Sequence, residues 1–354
     1  MAYKFLEFSD QITAEIEREL SLTLRSNFWS TGPQVDKLEK KFSSIYSRPA
    51  ITTSSGGSAL DILRLLFPNG KKIAVQANTY FASVLPWVNN NADIVIMSSA
   101  GKLLMPDLAT VEEALNHSPD LMILTHIGGY PNPYIKEIAD MCRLNNVILI
   151  EDCAHSPLSK IDQEFVGTFG DAAILSFFPT KPLPAGEGGL ILLKDQSLLR
   201  KAKQIRNYGK IQIDNDLYHE LPTVGNARMN EFSAAILNVL LKHYSNIWNH
   251  KKEIADIYDG FLKETSFLSA NNEHYVGKIT TPSYYKYICF PEAQLKSFSS
   301  QVYDLANQIF SILHRNQYPF IEVGTRNVTT HACLPITPSM SSSEAQEIIS
   351  SSRK

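Results

Sequence analysis

Short apolar segments alternate with helical patterns between about residue 50 and residue 195. Each apolar segment has the length of a strand, and the stretches between them, such as 60–66 and 135–142, repeat their apolar positions at helical spacing. This alternation predicts an α/β fold with a largely parallel, doubly wound sheet. The predicted strands are 73–76, 94–97, 121–125, 147–151, 172–177 and 190–193. Because parallel sheets bind ligands beyond the carboxyl ends of their strands, residues that follow these strands are the first functional candidates.

The pattern changes after the last predicted strand. From Glu231 to about Leu262 it predicts one long helix, and the remainder of the chain is typical of a smaller α+β unit. Ser341 and Glu344 have the spacing of a capping box and predict the start of a final helix. We therefore expect a large domain over residues 1–240 and a small domain over 241–354, entered through the long helix.

Composition agrees with a globular protein of two domains, because 354 residues exceed the roughly 250–300 at which single cores stop growing. The net charge of −3 and the scattered Lys and Arg residues predict no nucleic-acid partner. No apolar run is long enough to cross a membrane, and the N-terminus lacks the apolar segment of a secretory signal, which predicts a cytoplasmic protein. The four cysteines, which are far apart, predict free thiols and no metal site. They are Cys142, Cys153, Cys289 and Cys333.

The segment 147–155 carries a carboxylate and an imidazole to the end of a buried strand, where Asp152 and His155 follow the apolar run. An Asp at a strand end often does no more than cap the next turn. It could instead pair with a heteroaromatic cation, such as a pyridinium nitrogen that must stay protonated to accept electrons.

A second segment, 170–181, favours the functional interpretation. Lys181 follows an apolar strand and lies among aromatic residues and glycines, and Ser176 precedes it by five positions. An isolated lysine is more often a surface charge, but a desolvated amine has a lowered pKa and attacks aldehydes.

Two further motifs add to these candidate site residues. The turn Ser54-Ser55-Gly56-Gly57-Ser58 opens a helix whose free amides could hold a phosphate, although it has neither Walker nor dinucleotide-binding spacing. Thr79 and Tyr80 follow the next strand, where an aromatic ring could lie against a flat cofactor. In chain order these motifs offer a phosphate cradle, a ring stack, a carboxylate and an aldehyde-capturing amine, which together match pyridoxal 5′-phosphate (PLP).

Between about Trp29 and Leu240 the sequence resembles the DegT/DnrJ/StrS sugar aminotransferases, a branch of the fold-type I (aspartate aminotransferase-like) PLP enzymes. The resemblance is carried by these motifs together: Ser-Thr-Gly-Pro-Gln-Val at 30–35, Ser-Gly-Gly-Ser-Ala-Leu at 55–60, Asn-Thr-Tyr at 78–80, Glu-Asp-Cys-Ala-His at 151–155, Ser-Phe-Phe-Pro-Thr-Lys at 176–181, Arg-Asn-Tyr-Gly at 206–209 and Asn-Ala-Arg-Met-Asn-Glu at 226–231. It implies a seven-stranded, mostly parallel sheet in the large domain.

The resemblance also implies the role of each candidate residue. Lys181 would be the Schiff-base lysine, Asp152 the partner of the pyridine nitrogen and His155 the residue at the 3-oxygen of PLP. Tyr80 would stack on the ring. The phosphate would lie on Ser55, Gly56, Gly57, Ser58 and Ser176, with Gly57 in place of the family's usual Thr. Asn226 would reach the phosphate of the neighbouring subunit, which implies a homodimer with shared active sites, although Gly225 lies one residue closer to it than is usual.

The implied reaction is a ping-pong transamination from an amino donor, glutamate by analogy with the family, to a carbonyl acceptor. A nucleotide-linked keto-sugar of surface-polysaccharide or secondary-metabolite biosynthesis is the preferred acceptor. A small phosphorylated ketone or a ketocyclitol is the alternative, because residues 314–319 and 324–326 match the family's substrate block poorly. Arg315, Arg326 or His331 could meet a phosphate there.

Other functions are disfavoured by particular residues. A dehydratase of the same family would have His in place of Lys181. A catalytically silent regulatory protein with a PLP-enzyme fold would not need the chemical groups of Asp152, His155, Ser176 and Lys181. A nucleotide-binding Rossmann protein would carry a glycine fingerprint after its first strand.

Overall fold

The computed structural model describes residues 6–99, 104–214, 216–219, 222–262, 278–289, 305–324 and 332–351. Its helices are α1 (Asp10–Arg25), α2 (Pro33–Tyr46), α3 (Gly56–Leu66), α4 (Leu85–Val88), α5 (Leu108–Leu115), α6 (Ile135–Leu144), α7 (Leu198–Arg206), α8 (Glu231–Lys242), α9 (Tyr244–Leu262), α10 (Leu305–Arg315) and α11 (Ser342–Ser351). Its strands are β1 (Ala50–Thr53), β2 (Lys72–Gln76), β3 (Asp93–Met97), β4 (Leu121–Thr125), β5 (Ile148–Asp152), β6 (Lys160–Ile161), β7 (Glu164–Phe165), β8 (Ala172–Ser176), β9 (Gly189–Leu193), β10 (Lys210–Ile213), β11 (Asp216–His219), β12 (Thr280–Thr281), β13 (Tyr287–Cys289), β14 (Phe320–Val323) and β15 (Ala332–Leu334).

Eight strands form the main sheet, in the order β1-β9-β8-β5-β4-β2-β3-β14. The five pairings from β8 to β14 are parallel, whereas β9 runs antiparallel to both of its neighbours. The predicted α/β fold with a mostly parallel sheet is thus confirmed, and each predicted strand matches an observed one to within one residue at either end. The sheet has one strand more than the seven expected, because β14 joins it from the C-terminal part of the chain.

Side chains of the sheet alternate between two buried clusters, as the pleat requires. Ala74, Val95 and Met97 belong to one cluster, which also contains buried residues of α2, α5, α6 and α8. Ile73 and Val75 belong to the other, which contains buried residues of α3, α7 and α10. Helices on both faces explain why the central strands are apolar along their whole length.

The predicted long helix is two helices that meet at His243. The amide of His243 still donates to the carbonyls of Val239 and Leu240, but the chain bends there before α9 begins at Tyr244. The bend lets the Tyr244 hydroxyl donate to the carbonyl of Pro157, at 3.1 Å. Apolar spacing continues across such a bend, so the sequence pattern does not reveal it.

The C-terminal part of the chain contributes to two cores. Residues of α9 and α11, with Tyr287 and Leu334, form a separate small cluster. Residues of α10, in contrast, pack on the main sheet beside β14. The domain boundary at residue 240 stays a prediction. The capping box is present, since the Ser341 hydroxyl and amide both donate to Glu344.

Among the described helices, none is both long and apolar enough to span a bilayer. The cytoplasmic location inferred from the sequence stays a prediction.

Candidate active site

A cavity of 430 Å³ lies beyond the carboxyl ends of β2, β4, β5 and β8, where the parallel sheet was expected to bind its ligand. Most of the predicted site residues line it: Ser55, Gly56, Gly57, Tyr80, Asp152, His155, Ser176 and Lys181. Ser58 and Asn226 are not among the lining residues.

The Ser/Gly turn forms the first turn of α3 and one wall of the cavity. Ser55 is the N-cap, and its hydroxyl accepts a hydrogen bond from the amide of Ser58 at 3.0 Å. The amides of Gly56 and Gly57 belong to the first turn, which has no intrahelical acceptors to offer them. Together with the helix dipole they favour an anion. A Cβ on Gly56 would come within 3.1 Å of the Ser176 Cβ, so the turn and Ser176 form one close-packed cradle.

The structure shows what surrounds Gly57 and Ser58, two positions of this turn. A Cβ added to Gly57 would meet only the Ser55 hydroxyl oxygen, at 3.7 Å, so a larger residue would fit where Gly57 stands. The Ser58 hydroxyl lies within hydrogen-bonding distance of the hydroxyls of Ser54 and Ser55, at 2.9 and 3.0 Å. Ser58 therefore stabilises the turn, and its predicted contact with the phosphate stays a prediction.

Asp152 is oriented by a chain of buried hydroxyl groups. The Ser83 hydroxyl donates to one carboxylate oxygen at 2.7 Å, and the amide of Ala154 donates to the other at 3.0 Å. Hydrogen bonds of 3.0 and 2.7 Å then connect Ser83 to Thr79 and Thr79 to Thr125. Asp152 itself is only 4% exposed. The carboxylate is thus fixed in the cavity wall and is not merely a cap of the next turn.

The neighbouring Glu151 has a structural role. Its carboxylate accepts hydrogen bonds from the amides of Gly167, Phe169 and Gly170, at 2.7 to 2.8 Å, and lies 3.1 Å from His126 Nε2. Burial alone would raise the pKa of Glu151, but the contact with His126 and the amides outweighs it and lowers the pKa. The carboxylate therefore stays ionised and holds the loop that leads into β8.

His126, Glu151 and Cys153 bring three potential metal-ligand atoms within 4.8 Å of one another. Their donor atoms are already used, because His126 Nδ1 accepts from the amide of Asn132 and Glu151 has four neighbours of its own. Burial also raises the pKa of the Cys153 thiol well above its usual value, which disfavours the thiolate that a metal requires. The cluster does not fit a metal site.

Lys181 lies in a loop that leaves β8 and returns to β9. The amides of Phe177 and Ala185 donate to the carbonyls of Gly188 and Phe177, which closes the loop, and the amide of Lys181 donates to the carbonyl of Phe178. Burial lowers the pKa of the Lys181 amine to about 8, opposed by the charge of Asp152 and aided by that of Lys286. The amine is therefore a stronger candidate nucleophile near neutral pH than an exposed lysine.

The loop needs a glycine where it enters β9. A Cβ on Gly189 would come within 2.4 Å of the carbonyl oxygen of Ser55, closer than any real contact. Gly189 also pairs with Thr53 on one side and Ser176 on the other. The glycine thus holds the lysine loop and the phosphate turn at their close separation.

His155 is a neutral hydrogen-bond donor in the cavity wall. Burial and the charges of Lys181 and Lys286 lower the pKa of His155 well below its usual value. Its Nδ1 accepts from the amide of Gly128 at 3.2 Å, so the proton of the neutral ring is on Nε2. That N–H is the group that could donate to an anionic oxygen such as the 3-oxygen of PLP.

Tyr285 and Lys286 are cavity residues that the sequence pattern did not reveal. The Tyr285 ring stacks on His155, with centroids 4.3 Å apart and an interplanar angle of 27°. The Tyr285 hydroxyl lies 3.2 Å from the Thr180 hydroxyl. Ser83 and Thr125 were missed as well, although Thr125 ends a predicted strand and could have been found by that criterion.

Tyr80 is a lining residue of the cavity, and Asn226 is not. Tyr80 lines the cavity with 51% of its surface exposed, and its ring contacts Phe81 at 4.2 Å. Asn226 is exposed, and its side-chain oxygen accepts from the amide of Arg228 at 3.2 Å. Stacking on PLP by Tyr80 and a contact across a subunit interface by Asn226 stay predictions.

Three further residues were candidates for contact with a substrate phosphate. Arg315 lies at the end of α10 and does not line the cavity. Arg326 and His331 lie outside the described residues.

The donor set fits PLP at each of its ends. The cradle of α3 amides and Ser176 suits a phosphate, the fixed carboxylate of Asp152 suits a pyridinium nitrogen, and the Lys181 amine suits an aldehyde. All of these groups face one cavity.

Comparison with known proteins supports the same cofactor. The model of the DegT/DnrJ/EryC1/StrS aminotransferase family matches residues 10–353. The GDP-perosamine synthase of Escherichia coli O157:H7 is 29% identical over 233 residues, which cover 65% of this chain and 63% of that protein. The chain therefore spans a little under two thirds of this relative. A pleiotropic regulatory protein of Geobacillus stearothermophilus is 30% identical over 260 residues, which cover 72% of this chain and 68% of that protein.

A solved structure with the same fold contains PLP. It is the PLP form of a Streptococcus pneumoniae protein, which matches 100% of this chain and 97% of its own with a TM-score of 0.86 and 19% identity. The family resemblance found in the motifs and the prediction of PLP as its cofactor are confirmed.

Proposed function

Since this chain belongs to the DegT/DnrJ/EryC1/StrS aminotransferase family, we propose that it is a PLP-dependent aminotransferase that moves an amino group from glutamate to a keto-sugar, linked to a nucleotide, in the biosynthesis of a surface polysaccharide or a secondary metabolite. The observation that carries the proposal is the partly buried amine of Lys181, with its pKa near 8, in the same cavity as Asp152 and the amide cradle of α3. A surface lysine would have neither the lowered pKa nor these neighbours.

The residues that would hold the cofactor are those of the cavity wall. Gly56, Gly57 and Ser176 would bind the phosphate, Asp152 the ring nitrogen and His155 the ring oxygen. When bound, PLP supplies an aldehyde that receives the amino group and a protonated ring that accepts the electron pair left on the donor's α-carbon.

Lys181 would act twice. As a neutral amine, its Nζ would hold the cofactor before the amino donor arrives. Once free, the same Nζ would take a proton from the α-carbon of the donor and return it at the carbon that receives the amino group. A base with a pKa near the working pH serves both steps, because it is present in both protonation states.

Asp152 would hold the proton on the ring nitrogen. Its two hydrogen-bond donors, the Ser83 hydroxyl and the Ala154 amide, keep the carboxylate in one orientation. Its position close to the end of β5, which is paired on both sides, keeps it rigid.

The proposed enzyme is a homodimer with shared active sites. The support is the exposed Asn226, whose segment resembles the family block that reaches the neighbouring phosphate. The antiparallel pair β10–β11, close by, exposes Ile213, Leu217 and Tyr218, and exposed apolar groups of this kind are typical of a surface that another chain covers.

The central test compares wild-type protein with Lys181→Ala and with Lys201→Ala, which removes an exposed lysine of α7. Wild type and Lys201→Ala should turn yellow with PLP and should retain it covalently after borohydride reduction. Lys181→Ala should show neither property. A wild-type protein that stays colourless with PLP would contradict the proposal and would favour a regulatory role without catalysis.

The acceptor is tested by incubating the enzyme with glutamate and a panel of keto-sugars and small ketones, and by following the release of 2-oxoglutarate. Turnover of a nucleotide-linked ketose supports the preferred substrate. Turnover of a phosphorylated ketone or a ketocyclitol, with none of any nucleotide-linked ketose, would replace it by the alternative.

A further inference from the structure

Lys286 is a second lysine of the active-site cavity, and the proposed cofactor chemistry does not use it. It lies between β12 and β13. Its amide donates to the carbonyl of Gly128 at 3.2 Å, and its carbonyl accepts from the hydroxyl of Tyr130 at 3.4 Å. The backbone of Lys286 is therefore fixed against the turn that follows β4, and its side chain starts from a fixed point on the cavity wall.

One aromatic ring lies between the two cavity lysines and His155. The Nζ atoms of Lys181 and Lys286 lie 4.9 and 5.2 Å from the centre of the Tyr285 ring, which also stacks on His155. At these distances the ring attracts an ammonium group through its quadrupole. Tyr285 thus holds the Lys286 ammonium close to the group that reacts.

The charge of Lys286 acts on three basic groups among the described residues. Burial lowers the pKa of Lys286, and its charge in turn contributes to the lowered pKa values of Lys181, His155 and Lys251. Lys181 and Lys286 thus place two amine groups in this part of the cavity wall. Positive charge partly removed from water attracts an anion more strongly than the same charge at an exposed surface.

Apolar and neutral side chains of the described residues line the cavity beside Lys286. Ile127, Ile288 and Cys333 line the same cavity, and burial raises the pKa of the Cys333 thiol to about 12, so it is uncharged at neutral pH. A largely apolar wall with a few polar or charged groups is the usual composition of a small-molecule site.

We propose that Lys286 recognises an anionic group of the substrate, a carboxylate or a phosphate, and thereby sets which molecules are placed against Lys181. The inference rests on the proposed function, because Lys286 has this role only if Lys181 and Asp152 are occupied with the cofactor. The anionic group can belong to either substrate: a carboxylate of the amino donor, or a phosphate of the acceptor.

The test uses the PLP-loaded enzyme and its variants Lys286→Met and Lys278→Met. Methionine keeps much of the length of lysine and removes the charge. Lys278 belongs to the same segment but pairs with Glu137, at 2.9 Å, and does not line the cavity. The probes are glutarate, its neutral diamide and inorganic phosphate, and their dissociation constants are measured by calorimetry.

Lys286→Met should weaken the binding of glutarate or phosphate by about tenfold to a hundredfold, as for the loss of a hydrogen bond to a charged group. The affinity for the diamide should change little, and Lys278→Met should behave as wild type. Equal weakening of glutarate and its diamide, or no change for either anion, would overturn the proposal.

The two half-reactions identify the source of the anion. If it is the donor's carboxylate, Lys286→Met should raise KM in the half-reaction with glutamate far more than it lowers kcat. If it is the acceptor's phosphate, the same change should be confined to the second half-reaction. Unchanged KM values in both, with only kcat lowered, would refute recognition by Lys286.

Failure of the proposed function gives a different result. Wild-type protein that shows no colour with PLP and no turnover refutes the aminotransferase, whatever Lys286 does. In protein that does take up PLP, the calorimetric measurement needs no turnover, so it decides the role of Lys286 even before a substrate has been found.

Discussion

Lys181 changes from an ammonium group to a free amine within the range of ordinary buffers, since burial lowers its pKa to about 8. Only the free amine attacks an aldehyde. Below pH 8 its fraction falls about tenfold for each pH unit, so uptake of PLP by cofactor-free protein should slow in proportion as the pH falls. The initial rate of colour formation against pH measures this. A profile that keeps rising above pH 10, as for an ordinary lysine, would contradict the lowered pKa.

Ser83 orients Asp152 through the hydrogen bond that its hydroxyl donates to the carboxylate at 2.7 Å. Ser83→Ala should weaken PLP binding by about tenfold to a hundredfold, because hydrogen bonds to charged groups contribute about 1.5–3 kcal/mol. Equilibrium titration with PLP measures the effect. Ser44→Ala, at an exposed position of α2, is the matched control and should bind PLP as wild type does.

Residues of this site could be predicted from the sequence when they belong to a local motif. Asp152, His155 and Lys181 follow predicted strands within a few positions, Ser176 lies near the end of one, and all four line the cavity. Tyr285 could not be predicted in this way, because its contacts join positions distant in the sequence, as with Thr180, 105 residues away. No local pattern marks such a residue, since the fold alone brings it to the cavity.

The loop between β7 and β8 depends on one buried carboxylate. Glu151→Gln removes the charge that three loop amides contact, and it should destabilise the protein by about 3–5 kcal/mol. Because the folded-state pKa of Glu151 is lowered, its contribution to stability is present above its usual value of 4.5 and is lost as the pH falls through the folded-state pKa.

Denaturation of Glu151→Gln and wild type at a series of pH values tests this. The difference in the free energy of unfolding should be largest near neutral pH and should shrink in acid. A difference that is constant down to pH values well below 4.5 would show that the charge of Glu151 is not what stabilises the loop.

The start of β9 packs closely against the Ser/Gly turn that begins α3. Gly189→Ala should displace the Ser55 carbonyl and loosen PLP binding, because the added Cβ would lie 2.4 Å from that oxygen. Gly260→Ala, in α9, is the control: no atom lies within 4 Å of its added Cβ, and alanine should stabilise the helix by about 0.5–1 kcal/mol. PLP titration and thermal unfolding of both variants measure these effects. Equal PLP affinity in Gly189→Ala and wild type would show that the turn tolerates the displacement.

Elements with strong apolar patterns were predicted well, and those defined by distant contacts were not. The central strands are buried on both faces, so their apolar runs show plainly in the sequence. Strand β14 is different, since Phe320 is partly exposed and Ile321 and Glu322 are exposed, and only its pairing with β3 makes it part of the sheet. The bend at His243 was missed because the apolar spacing continues from α8 into α9.

At the scale of the whole molecule, the shared active sites proposed above would make two inactive variants complementary. Lys181→Ala and Asn226→Ala, each inactive or impaired alone, should regain activity when they are unfolded and refolded together. A mixed dimer would contain one site with both residues intact. Activity of the mixture no higher than that of the separate variants would contradict the shared site, and light scattering would show whether the protein is a dimer at all.

The position of β14 has a consequence for how the protein is made. A ribosome synthesises the chain from its N-terminus, and early segments begin to fold while later ones are still absent. Strand β3 ends at residue 97, but the strand that covers its open edge begins only at residue 320. For most of the time of synthesis this edge is exposed to other nascent chains, and an unpaired edge is a template for aggregation. We therefore expect the yield of folded protein to rise when translation is slowed, or when a chaperone protects this edge until residues 320–323 emerge.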